Sequence, residues 1–472
     1  MEIYKKLNEM AYLAGRHYFS EETGFLHFSY HLPADKIAHS IPILENACFV
    51  LALLKLKTQD SVQEAKELLE KLLNFQTKTG NFPVYLHEFP KCQNEFIGAD
   101  LLLVFSLIEQ LFGHVLGETL KHQLNQASHS LLNFNLTCLT EKTPSILIQL
   151  KLAASARMLG WEIEAKQLLN SIDLEEASFW YIPEQLGDAL IALQIMHQSC
   201  ERALKTWHSL LHCYTGPRFK LFYWQDGPEK TLYDLVMAAY TQRLPEGALK
   251  PQPFLLKAAL IQPGINWSSC QTYPDVNEGV FQSKHFLCRQ EENYAFSLIE
   301  TKEVTPPHQK GMHPFSFIWG NSNSLRSLVL QSFAIDQISF QEKKNQIELY
   351  LTLNHPFNGE EKEASREICF YTEVDPQTVI TVDGQKSTTF LLEQKMTIAH
   401  PLMDLHLQFS LESGEGNFKG HLMRSNRPSQ KNTTGQDRFA AHDWILFLRT
   451  LQRTDSCRIK VVISYEPKNL EA

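Results

Sequence analysis

Apolar residues in the first half of the chain recur with a helical period, in two alternating densities. In Ser61–Gln76, Leu68, Leu69, Leu72 and Leu73 share one face, while Glu64, Lys66, Glu67, Glu70 and Lys71 fill much of the other. That spacing predicts an amphipathic surface helix. The preceding Ile41–Lys57 carries Ile43, Leu44, Ala47, Cys48, Val50, Leu51, Leu53 and Leu54 and has almost no polar face. A helix apolar nearly all round has to be covered on every side. The contrast repeats: apolar Leu101–Phe112 precedes amphipathic Glu118–Phe134, and Ile146–Leu159 precedes Glu162–Asn170. Leu186–Met196 then precedes Cys200–His212, and Leu232–Tyr240 is again apolar.

Alternating buried and surface helices at this spacing are best served by two concentric layers. The pattern predicts an incomplete α/α toroid of about five helical hairpins over residues 1–245. From Pro245 the text changes. Pro251, Pro253, Pro263 and Pro274 punctuate a stretch without helical period, so residues 246–284 read as a junction. Short β-rich runs follow: His285–Glu300, Phe315–Trp319, Ser327–Ile335, Gln346–Leu353, Glu367–Glu373 and Val379–Val382. Asp383-Gly384 supplies a hairpin turn between Val379–Val382 and Ser387–Leu392. Leu405–Leu411, Gly416–Arg424, Trp444–Thr450 and Arg458–Tyr465 continue the series. So many strands without intervening helices predict an antiparallel β-sandwich over 285–472. The fold class expected is α+β multidomain.

Composition narrows the function classes without choosing one. Among 472 residues, 44 Lys and Arg face 53 Asp and Glu, a formal charge of −9, with no basic cluster. That argues against nucleic acid or an anionic membrane as partner, since both need clustered cations. The first residues, Met1-Glu-Ile-Tyr-Lys-Lys, have no apolar core of a secretory leader. The most apolar stretches, Cys48–Leu56 and Leu101–Ile108, are shorter than the roughly 20 residues of a membrane span. Nine scattered cysteines without a CxxC pair suit reduced thiols. The expected location is cytoplasmic, with no cofactor.

Candidate chemistry concentrates in the turns that lead into the apolar helices, which a toroid gathers at one rim. The first, His27–His39, holds Tyr30 and His31; the second, Gly80–Gly98, holds Tyr85, His87 and Glu88. Ser178–Gln185 holds Trp180, Tyr181 and Glu184, and Gly216–Lys230 holds Arg218, Lys220, Tyr223, Trp224 and Asp226. Only the third, Asn135–Pro144, is bland. Aromatic faces beside ionisable groups suit a sugar ring, whose C–H faces stack while its hydroxyls seek polar partners, so the expected partner is an oligosaccharide or polysaccharide. If Val84–Phe89 is extended, Tyr85 and His87 project from one side and Leu86 and Glu88 from the other. A Tyr–His pair on one face can take and return protons. Further on, His308 and His313 precede a predicted strand and, with His285, form a candidate divalent-metal site. There is no GxSxG elbow, P-loop, dinucleotide fingerprint or HExxH.

A helical toroid followed by a large antiparallel sandwich resembles the heparinase II/III and chondroitin-lyase group of polysaccharide lyases. His308–Trp319 is similar to the His-containing strand that opens their sandwich, although the Asp that follows the His pair there is missing here. Tyr85 and His87 are similar in type to the Tyr and His those enzymes use. The resemblance implies β-elimination at a uronic acid: Arg218 or Lys220 meeting the substrate carboxylate, Tyr85 or His87 as base, and His313 contributed by the sandwich. Two alternatives stay open. One is hydrolysis by paired carboxylates drawn from Glu88, Glu184 and Asp226. The other is a non-catalytic glycan-binding or scaffold protein that shares the fold.

Overall fold

The structure is a computed structural model that describes residues 2–28, 40–204, 207, 231–242, 251–263, 275–281, 283–291, 293–300, 314–321, 324–332, 335–354, 366–373, 377–428 and 442–468. The chain divides into two compact units: Met1–Thr206 with Lys230–Ser269, and Trp207–Glu229 with Cys270–Ala472. The first is helical and the second is built of antiparallel strands.

Nine helices of the first unit are described: α1 (Glu2–Tyr18), α2 (Ile43–Leu56), α3 (Gln59–Leu73), α4 (Ile97–Leu116), α5 (Glu118–Glu141), α6 (Ile146–Met158), α7 (Glu162–Asn170), α8 (Pro183–Ile195) and α9 (Leu232–Thr241). Local chemistry sets their ends. Thr58 and Ser61 form a capping box at the start of α3, and Thr231 and Asp234 form another at α9. Lys57 turns left-handed to close α2. The helices pack in a series: α2 packs on α4, α4 on α6, α6 on α8 and α8 on α9, while α3, α5 and α7 pack on α2, α4 and α6 respectively. Every residue from Ile43 to Leu54 is buried, and each fully buried aliphatic or aromatic side chain contributes roughly 1.5–3 kcal/mol. Gly187 lets α8 approach α9: a Cβ there would lie 2.6 Å from the Tyr233 amide nitrogen.

Four features of this unit differ from the sequence reading. α1 carries Ile3, Leu7, Ala11 and Ala14 on one buried face and packs on α2, a helix the reading passed over. α5 runs on through Asn135, which is buried and donates to the Leu131 carbonyl, so the third turn shrinks to residues 142–145. α4 spans 20 residues and is apolar enough to cross a membrane by composition; 67% of its apolar window is buried within this unit. The expected junction contains a 3-10 helix, Pro253–Leu260, that packs on α1, α2 and α9 and buries Leu255, Leu256 and Leu260. Lys55 fastens it by donating to the carbonyls of Ala259, at 2.6 Å, and Ile261, at 3.2 Å.

Strands β1 (Phe19–Ser20) and β2 (Phe25–Leu26) form a small hairpin after α1. The second unit holds β3 (Asp275–Phe281), β4 (Lys284–Gln290), β5 (Tyr294–Ile299), β6 (Phe315–Asn321), β7 (Ser324–Ser332), β8 (Gln337–Lys343), β9 (Gln346–Leu353) and β10 (Ile368–Thr372). It continues with β11 (Val379–Val382), β12 (Thr389–Phe390), β13 (Lys395–His400), β14 (Met403–Ser413), β15 (Gly416–Pro428), β16 (His442–Arg453) and β17 (Cys457–Pro467). One sheet has the order β12-β15-β16-β10-β7-β6-β5-β4-β3 and the other β11-β13-β14-β17-β9-β8. Inward residues of both sheets share one core, with Phe317, Trp319, Leu330 and Phe370 from the first and Leu349, Phe409, Val461 and Ile463 from the second. Period-two burial carries this arrangement, most cleanly in β14 and β17.

Strand β3 begins the sheet ten residues before the expected start, and His285–Glu300 is two strands, not one. Asp383 and Gly384 do make the tight turn, with φ of 48° and 77°. The strand after it is not the partner of β11, however. β11 pairs with β13, whereas β12 crosses to the other sheet and pairs with β15. Asp383 explains the closure: its carboxylate accepts from the Lys395 amide, which starts β13 in register.

Candidate functional site

The second turn folds back onto the start of α2. The Ile43 amide donates to the Val84 carbonyl at 3.0 Å, and the Leu86 amide donates to the Ile41 carbonyl at 2.9 Å. Tyr85 is extended, but Leu86–Glu88 is a 3-10 turn, closed by the Glu88 amide on the Tyr85 carbonyl. Val84–Phe89 is therefore not the continuous strand expected from alternation. Glu88 explains the curl: its carboxylate reaches back to accept from the Val84 amide at 3.1 Å. The turn still brings Tyr85 and His87 together. Their rings stack with centroids 5.6 Å apart and planes 14° apart, Tyr85 buried beneath and the imidazole exposed above. An exposed imidazole on a fixed aromatic platform can accept or return a proton to a molecule lying against it.

Trp180 plays another part. It is wholly buried in the 3-10 turn Ser178–Tyr181, and its indole N–H donates to the Leu174 carbonyl at 2.7 Å. It pins the approach to α8 and offers no free face for a sugar. Tyr181 ends the same turn, and Glu184 lies in the first turn of α8. Tyr30, His31, Arg218, Lys220, Tyr223, Trp224, Asp226, His308 and His313 lie outside the described residues. His285 is described: its Nε2 lies 2.8 Å from a Glu278 oxygen, and its ring stacks on Phe340. Among the described residues no three His, Cys, Asp or Glu side chains come together as metal ligands.

The structure also assembles a group that the sequence reading missed. Lys151 of α6 lies 2.6 Å from Asp100 of α4 and 3.2 Å from Asp188 of α8. Lys257, in the 3-10 helix, lies 3.1 Å from both Asp188 oxygens and 3.9 Å from Asp100. Glu45, in the first turn of α2, is buried within electrostatic reach of Lys257 and Asp100. Burial opposes ionisation of Asp188, but Lys151 and Lys257 outweigh it and hold the carboxyl below its usual range. Burial pulls Lys257 down, but Asp188 and Asp100 outweigh it and raise the ammonium above its usual range. For Glu45, burial wins. Its carboxyl is pushed up to about 7, with Lys257 opposing and Asp100 adding to the rise. One signal could have found this cluster. Each of Glu45, Asp100, Lys151 and Asp188 is an isolated charge in a run otherwise almost wholly apolar, and a charge on a covered helix needs a partner.

At the other ends of α6 and α8 lies a cavity of about 460 Å³, lined by Arg157, Met158 and Ile195 and by Leu107 and Leu111 of α4. None of the predicted site residues that are described lines it.

No known family pattern matches the chain, and no curated protein matches it. Solved structures do. A heparinase III crystal structure aligns with 100% of this chain and 86% of its own, with a TM-score of 0.50 and 9% identity. A heparan sulfate lyase from Pedobacter heparinus aligns with 98% of this chain and 83% of its own, with a TM-score of 0.47 and 10% identity. The chondroitin AC lyase of Streptomyces coelicolor A3, solved with chondroitin sulphate, covers 99% of this chain and 80% of its own, with a TM-score of 0.47 and 10% identity. The chain therefore has the heparinase-type polysaccharide-lyase architecture, a helical unit followed by large antiparallel sheets. At this identity the likeness is one of fold.

Proposed function

We propose that this protein is a polysaccharide lyase that cleaves uronic-acid-containing glycans by β-elimination. The supporting observation is the stacked Tyr85–His87 pair, its imidazole exposed at the start of α2, in a chain that shares the fold of heparinase III. We read the packed series α2, α4, α6, α8 and α9 as the inner layer of an incomplete α/α toroid whose leading turns bind the sugar. In the reaction, the proton on the carbon next to the uronate carboxylate passes to His87. The electron pair left behind forms the new C=C bond as the C–O bond to the leaving sugar breaks, and an acid returns a proton to the leaving oxygen. Tyr85 fixes the imidazole. Glu88 is engaged with its own turn, and Asp226 lies outside the described residues.

The test is incubation with a panel of heparan, chondroitin and other uronate oligosaccharides, following the ultraviolet absorbance of the unsaturated product. Product is expected from at least one, and His87→Ala should lower kcat by about 10²–10⁴-fold. No unsaturated product across the panel overturns the reading, and binding without turnover assigns the protein to the non-catalytic class.

A further inference from the structure

We infer that the face of strands β10, β15 and β16 turned away from the sheet core is a contact surface for an anionic polysaccharide, built by Lys419, His421, Arg449 and Arg366. The choice of polymer rests on the lyase reading. The anion-binding face itself does not.

Strand alternation decides which side chains share this face. Phe418, Leu422, Leu446 and Leu448 belong to the core between the two sheets. Lys419, His421 and Met423 on β15, with Phe447 and Arg449 on β16, therefore point away from it. Register sets the neighbours: Lys419 lies directly opposite Arg449, and His421 directly opposite Phe447. The His421 and Phe447 rings stack, with centroids 5.2 Å apart and planes 19° apart. The guanidinium of Arg366, two residues before β10, lies 4.9 Å from the Phe447 centroid. Phe447 is itself buried, so it is the base that fixes the imidazole and the guanidinium in place. Lys419 and Met423 are exposed and open the face to water.

Three permanent cations surround one imidazole here. Glu367, the acid next to Arg366, is taken by Arg453 at 2.7 Å, and the buried Nε of Arg449 has no hydrogen-bond partner among the described residues. Like charges directly opposite on a sheet repel, so Lys419 beside Arg449 is unfavourable until an anion lies between them. Burial first, then Lys419, Arg449 and Arg366, hold the His421 imidazole below its ordinary range, in keeping with the same positive field. Guanidinium forks fit paired anionic oxygens such as those of a carboxylate. Duplex nucleic acid carries a charge about every 1.7 Å and calls for a long cationic track, whereas this face has four groups in a chain of formal charge −9. A uronate or sulfated glycan spaces its charges by sugar rings, and the exposed Met423 offers those rings an apolar contact.

The test uses the full chain carrying His87→Ala, so that bound polymer is not cut, and follows its affinity for heparan sulfate and chondroitin sulfate chains across a salt series. Adding Lys419→Ala with Arg449→Ala should weaken binding to at least one of them about tenfold at low salt and flatten the salt dependence. Lys419→Glu changes one exposed position and should weaken binding by a similar factor, which guards against a folding defect in the double variant. Lys166→Ala, at an exposed cation of α7, should leave the affinity as it was. If the double variant and Lys419→Glu bind as tightly as their parent, or if Lys166→Ala loses as much, the inference is overturned. A DNA duplex that competes as well as the glycan at equal charge overturns the choice of polymer. The lyase assay separates the two claims: affinity lost in these variants without product from the wild type overturns only the proposed reaction, whereas product with unchanged affinity overturns only this inference.

Discussion

Glu45 and Glu348 are the same residue in two surroundings. Glu45 sits among apolar helices, and burial lifts its carboxyl to about 7. Glu348, on β9, is as buried as Glu45, at 3% against 5% exposed, but it is covered by its partners: Lys343 donates at 2.7 Å, Lys460 lies 3.1 Å away, and the Tyr350 hydroxyl and the Gln346 amide also donate. The hydrogen bond from Lys343 leads these in drawing its carboxyl down to about 2. A sheet turns alternate residues outward, so a strand can carry a charge without placing it in the core. A helix covered on all sides has no outward row. Its charges have to be matched inside, by partners from other helices. Charge in the helical unit is therefore a matter of the whole assembly, and in the sheet a matter of nearest neighbours.

Removing one cation should sharpen this contrast most. Lys151→Met strips Asp100 and Asp188 of a shared buried partner and should cost about 3–5 kcal/mol in denaturant unfolding; a loss under about 1 kcal/mol would make the helical cluster no different from a surface pair. Titration comes next. Folded Glu45 keeps its proton to about 7, against 4.5 as the ordinary value, so the folded state binds more protons between these limits. Stability then falls as pH rises through that window and levels off above it. Glu45→Gln should remove the fall and gain about 2–3 kcal/mol at pH 8, and an unchanged pH profile would break the comparison. The smallest effect belongs to the sheet. Glu348→Gln should cost about 1 kcal/mol or less at neutral pH, because Lys343 and Lys460 keep 48% and 26% of their side chains in water although Glu348 keeps only 4%, and the amide retains hydrogen-bonding capacity. The sign is opposite: the contribution of Glu348 is present above 4.5 and lost as pH falls through about 2, so the acid limb of unfolding should flatten in the variant.

Much of the fold was legible because it rests on periodicity. The bounds of β9 follow from Ile347, Leu349, Leu351 and Leu353 alternating with polar residues, and the all-apolar helices are those that pack on one another. What was not legible depends on pairing at a distance. Nothing between Val379 and Leu392 says that β12 leaves its neighbour for β15 of the other sheet. At the candidate site, Tyr85 and His87 stand out by residue type, but the stack comes from a 3-10 turn and not from strand alternation. Trp180 looked like a sugar platform, and only burial shows it to be an anchor.

The sequence by itself determined which apolar helices are covered and which turn carries a tyrosine beside a histidine, because each depends on residues within a few positions of one another. Tertiary structure alone decided that Asp100, Lys151, Asp188 and Lys257, spread from residue 100 to residue 257, would meet. An unmatched charge is costly wherever it is buried, but which partner relieves that cost depends on how the helices pack.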